Sequence, residues 1–114
     1  RILLAALALL LPLVALADYK KDYQDGVAAA ERGNWAEVRR LMRAAIRENP
    51  TPVPRMRTYG TNFIPYVPHY YLGLANARLD DCNAAVGAFR TAESARVVAG
   101  LPQLASEQST QLKG

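Results

Sequence analysis

The chain has 114 residues, with 14 Lys plus Arg against 10 Asp plus Glu, one His and one Cys, for a net charge of +4. A single cysteine excludes an intramolecular disulfide framework, so apolar packing must hold the fold. The mildly basic balance falls short of a dedicated nucleic-acid binder, and one histidine without a Cys or acidic cluster excludes the ordinary zinc sites.

Residues 1–17, RILLAALALLLPLVALA, are an apolar run after Arg1, broken by Pro12 and ending in the small-x-small sequence Ala15-Leu16-Ala17 before polar Asp18. This predicts a secretory signal peptide, because a spanning helix needs about 20 apolar residues and tolerates an internal proline badly. The alternative is a retained N-terminal anchor. With no cysteine near the expected cleavage point, lipid attachment there is not supported. Removal of this segment leaves 97 residues carrying 13 basic and 10 acidic side chains, enough for one small domain that buries about 60–65% of its unfolded surface. The first and last residues are read as those of a fragment, or of the front of a longer protein.

The first helix is expected over residues 19–32, with Asp18 as N-cap and Gly33 just past its end. The second is expected over residues 35–48. Asn34 precedes it as N-cap with Glu37 three residues on, an approximate capping box. Its Val38, Leu41, Met42, Ala45 and Ile46 follow the spacing of one buried helical face, and Pro50 and Pro52 end it. Residues 51–65, TPVPRMRTYGTNFIP, read as a long loop bounded by prolines, either functional or disordered.

The third helix is expected over residues 66–79, with Pro68 in its first turn. The fourth spans residues 82–94, capped by Asp80 or Asp81, with Cys82, Ala85, Val86, Phe89 and Ala92 on one face. Cys82 is expected to be buried. Residues 98–114 read as a capping helix or a linker. No segment sustains apolar/polar alternation, so no strands are predicted and the fold class is all-α.

Two helix-turn-helix units of like design resemble the tetratricopeptide repeat (TPR), a 34-residue unit stacked into a superhelix. In the first unit Gly26 falls where the two helices approach closely. Gly33 matches the turn glycine, Trp35 the aromatic after it, Ala45 the small packing residue and Pro50 the terminating proline. Asp25, Ala29 and Val38 depart from the family's leucine, tyrosine and alanine. In the second unit Leu72-Gly73, Ala85, Phe89 and Ala92 agree, whereas Asp80 replaces the turn glycine, His69 replaces the tryptophan and the closing proline is missing. The resemblance spans residues 19–97. Gly26 and Gly73 lie 47 residues apart, so 13 residues are inserted relative to a continuous array. The fold implied is a short α-solenoid: two TPR-like hairpins over residues 18–97 with an inserted loop at 51–65.

The resemblance places Lys20, Tyr23, Val27 and Glu31 of the first unit toward the concave groove, with Val67, Tyr70, Leu74 and Arg78 of the second. The Lys and Asn pattern with which some members hold a terminal carboxylate is absent at Tyr23, Val27, Tyr70 and Leu74. An apolar, tyrosine-bearing groove suits a hydrophobic peptide or helix; the alternative is packing of these residues against the insert or the C-terminal segment. In the insert, Arg55, Arg57 and Tyr59 are candidate recognition residues, whereas Phe63 and Ile64 are expected to fold back over the first hairpin. The stripe Arg39, Arg43 and Arg47, with Arg40 beside it, reads as a solvated face or an anion-seeking surface. His69 is expected to pack between the hairpins.

No nucleotide, metalloprotease or catalytic-triad motif is present. The expectation is a non-catalytic protein-protein interaction scaffold of the cell envelope, periplasmic or secreted. It would bind a protein or peptide partner, with no cofactor, no metal, no nucleic acid, and membrane contact only through the signal segment before cleavage. The alternative is an N-terminal regulatory or targeting TPR segment of a larger exported enzyme. A third reading is an envelope-surface module acting through the arginine stripe.

Overall fold

The computed structural model describes residues 18–58 and 60–113. The signal-peptide assignment therefore lies outside the described residues. The chain is mostly helical, in the order α1 (Tyr19–Glu31), α2 (Trp35–Glu48), β1 (Val53–Arg57), β2 (Phe63–Tyr66), α3 (Pro68–Arg78), α4 (Cys82–Ser94), a 3-10 turn (Val98–Gly100) and α5 (Pro102–Lys113). The main packed pairs are α1 with α2, α2 with α3, and α3 with α4.

Local chemistry sets the helix ends. The Asp18 carboxylate accepts from the Lys21 backbone N–H at 3.1 Å, and the Asn34 side chain accepts from that of Glu37 at 3.4 Å. Asp81, rather than Asp80, caps α4, accepting from Ala84 N–H at 3.3 Å. Pro68 starts α3, where its missing N–H costs nothing.

The two interhelical turns are built alike. After α1, Asn34 N–H reaches back to Ala29 O at 2.9 Å and Gly33 N–H to Ala30 O at 3.0 Å. After α3, Asp81 N–H reaches Asn76 O at 2.8 Å and Asp80 N–H reaches Ala77 O at 3.2 Å. Both are Schellman closures, which require a left-handed residue. Gly33 supplies it with φ +73° and Asp80 with φ +63°. The aspartate thus occupies the glycine's conformation, one that Asp tolerates better than most residues.

The correspondence extends to the core. Every buried residue of α1 and α2 (Tyr23, Gly26, Ala29, Val38, Leu41, Met42 and Ala45) has a buried counterpart 47 positions later, at Tyr70, Gly73, Asn76, Ala85, Ala88, Phe89 and Ala92. Each pair of helices meets at its glycine. A Cβ at Gly26 would lie 2.6 Å from Met42 Cε, and one at Gly73 would lie 2.5 Å from the Phe89 ring. One apolar cluster centres on Tyr23, Met42 and Tyr66, the other on Tyr70, Phe89 and Val98; Trp35 and Tyr71 pack against both.

Two expectations are corrected. The insert contains strands: β1 and β2 pair antiparallel with Met56 opposite Ile64 and Arg57 opposite Phe63, and a bulge intervenes between Val53 and Met56. Strands of five and four residues, with Pro54 and Pro65 inside them, are too short and interrupted to register as alternation. Cys82 is exposed. It opens α4, whose buried face begins only at Ala85, so its position on the apolar stripe falls beyond the core's edge. The C-terminal segment is helical, and its Leu101, Leu104, Ala105 and Leu112 pack against the second cluster.

Candidate functional site

The inserted hairpin is fixed from beneath by two tyrosines. Tyr23, on α1, donates its hydroxyl to Pro65 O at 2.6 Å and accepts from Val67 N–H at 3.3 Å. It thereby grips the chain on either side of Tyr66. Tyr66 donates to Asn49 O at 2.6 Å, with Ala45 O at 3.3 Å, and so closes the carbonyl end of α2. The rings meet edge to face, with centroids 4.8 Å apart. Met56 is the buried plug of β1. An isolated two-stranded hairpin is marginal in water, and these anchors supply what a third strand would.

Burial pushes the Tyr23 and Tyr66 phenols well above their ordinary range; Tyr70 is pushed up to about 12, and Tyr71 is raised for the same reason. The tyrosines are neutral, apolar-bodied struts.

The hairpin's outer side is different. Phe63, paired with exposed Arg57, is 48% exposed. The Arg55 guanidinium stands 4.7 Å over the Phe63 ring, a cation–π contact that holds the cation flat and available. Arg57 is exposed and directs Nε toward Gly60 O at 3.4 Å, while Thr58 N–H bonds Asn62 O at 3.0 Å to close the tip. Residues 51–66 contain no acid. Tyr59 lies outside the described residues. The expectation that Phe63 folds back is corrected, because it faces away from Met56 and the core; Ile64 packs inward.

The residues assigned to a groove are placed otherwise. Tyr23, Val67, Tyr70 and Leu74 are buried, packed against the hairpin and the C-terminal segment. Val27 and Lys20 are half-buried and Glu31 is exposed. Arg78 is exposed, 5.2 Å over the Trp35 ring and 4.0 Å from the Glu107 carboxylate, tying α3 to α2 and α5. A mainly apolar recess of about 510 Å³ stays open, lined by Pro65, Tyr71, Leu101, Pro102, Gln103 and Leu104. The signal for it lay in Leu101-Pro102 and Leu104, within a segment whose sequence alone left helix and linker equally open.

Arg40 pairs with Glu37 on α2, Arg43 and Arg47 are exposed, and Arg39 is half-buried. His69 is half-buried beside Pro50, Pro52 and Thr91, and desolvation holds its pKa below the ordinary value. Among the described residues, no group of three His, Cys, Asp or Glu side chains could hold a metal ion, and no helix is long and apolar enough to cross a membrane. No family model, curated protein or solved structure matches this chain.

Proposed function

We propose that this chain is an exported, TPR-like interaction module that docks a protein partner on the outer face of its inserted hairpin. The observation that carries the reading is the exposed Phe63 ring beneath Arg55, next to Arg57, on a hairpin anchored by Tyr23 and Tyr66. Rigidly held aromatic and arginine side chains are the groups that contribute most to binding energy at protein interfaces. The acid-free insert favours a partner surface that is acidic around an apolar pocket.

The TPR-like reading draws support from the 47-position correspondence of buried residues and from α5, which starts at Pro102, 34 positions after Pro68. Tyr23, Tyr70 and Leu74 are buried and make no direct contact with a partner in this reading.

The test compares capture of partners from an envelope extract by the wild-type chain and by an Arg55→Ala/Arg57→Ala/Phe63→Ala variant. The variant is expected to lose the captured proteins while its far-ultraviolet circular dichroism stays unchanged. Equal capture would remove the hairpin from the function.

A further inference from the structure

A second cleft lies where α5 diverges from the end of α4. It measures about 640 Å³, within the range of small-molecule sites. Its floor is Val98, Ala105 and Leu112, continuous with the second apolar cluster. Glu93 stands at its rim with Arg96 and Lys113, all exposed.

Two features mark it as built to receive something. Gln108 lines the cleft and is 4% exposed, yet its Oε1 has no hydrogen-bond partner. Buried amide oxygens are nearly always paired, so this one is short of a donor. The rim carries charges of both signs that form no ion pair with one another among the described residues, so each keeps its capacity for an external group. Arg96 reaches the rim as the left-handed residue, φ +62°, that closes α4, just as Gly33 and Asp80 close α1 and α3.

We propose that this cleft binds a small zwitterion with an apolar side chain, of the amino-acid or dipeptide class. The apolar body rests on Val98 and Leu112. The ammonium faces Glu93, the carboxylate faces Arg96 and Lys113, and the Gln108 amide, whose oxygen is buried in the free chain, rotates to meet an N–H of the ligand. The cleft is separate from the hairpin face and independent of the reading given for it.

The test is a titration of the isotope-labelled full chain, followed by two-dimensional NMR at the Val98, Gln108 and Leu112 amides. The probes are leucyl-leucine, its N-acetyl derivative and its C-terminal amide. Leucyl-leucine is expected to give saturable shifts with a dissociation constant of about 1 mM, as suits a few exposed contacts. Each blocked analogue, lacking one rim ion pair, should bind ~2–5-fold more weakly. Glu93→Gln should abolish the preference for the free over the acetylated dipeptide. Gln108→Leu should raise the Tm of the free protein while weakening dipeptide binding, two changes of opposite sense that loss of structure cannot produce. No saturable shift up to about 20 mM, equal binding of the three peptides, shifts centred elsewhere, or unchanged binding by Gln108→Leu would each overturn the proposal.

Discussion

Replacing Tyr23 by Phe deletes one oxygen and should loosen the junction on which the hairpin depends. In the wild type that hydroxyl is donor to Pro65 O at 2.6 Å and acceptor from Val67 N–H at 3.3 Å. Tyr23 is 1% and Val67 2% exposed, so water cannot substitute without opening the packing. An unsatisfied buried backbone group costs about 1–3 kcal/mol, and the ring's own packing is retained in phenylalanine. We therefore expect a loss of about 2 kcal/mol, which in a domain of this size lowers Tm by about 10 °C. Thermal melts followed by circular dichroism at neutral pH measure it, and urea melts with an unchanged m-value would show that the two states compared are the same. A fall in Tm below about 2 °C would refute the assignment of Tyr23 as the clamp.

Three further outcomes follow from the same packing. Gly73→Ala, whose Cβ would meet the Phe89 ring, should destabilise by about 1–3 kcal/mol, whereas Gly87→Ala, with open space around it on α4, should stabilise by about 0.5–1 kcal/mol; denaturant melts of the pair test the difference in sign. Asn76→Ala should stabilise by about 1 kcal/mol, since Asn76 Oδ1 is buried without a partner and alanine already fills the corresponding place at Ala29; a loss of stability in the same melts would reveal a partner for that amide. Finally, burial raises the tyrosine pKa values in the folded chain, so the unfolded chain ionises first. The tyrosines' contribution is complete below pH 10 and falls as pH rises above it, by about 1.4 kcal/mol per pH unit for each tyrosine kept neutral, with Tyr70 ceasing to contribute near its own pKa of about 12. Tyr23→Phe should make that alkaline slope shallower, as pH-jump circular dichroism would detect.

The helices were legible in the sequence because their ends and faces are written in short-range chemistry. Asp18, Asn34 and Asp81 satisfy backbone N–H groups three residues away, Gly33 takes the left-handed turn, and the spacing of Val38, Leu41, Met42 and Ala45 commits one face to burial. Gly26 and Gly73 stood out through the family resemblance, and at both only a missing side chain leaves room for Met42 and Phe89. What lay against each face was another matter. Tyr23 and Tyr70 are equally apt for an open groove or a closed core, and the choice falls to β2 and α5, which reach them from more than 30 residues away.

The hairpin shows the limit from the other side. Five- and four-residue strands interrupted by proline have little strand propensity of their own, and they pair because Met56, Ile64 and Tyr66 find a surface already made by α1 and α2. The candidate site inherits that dependence. Arg55 and Arg57 stood out by charge alone, but Phe63 became exposed only once pairing fixed which side of the strand faces the core. Cys82 likewise sits on its helix's apolar stripe and still meets solvent, because the core stops a turn short of it. Periodicity along the chain determined helix bounds and faces here; contacts between residues far apart in sequence decided which faces close and which remain available.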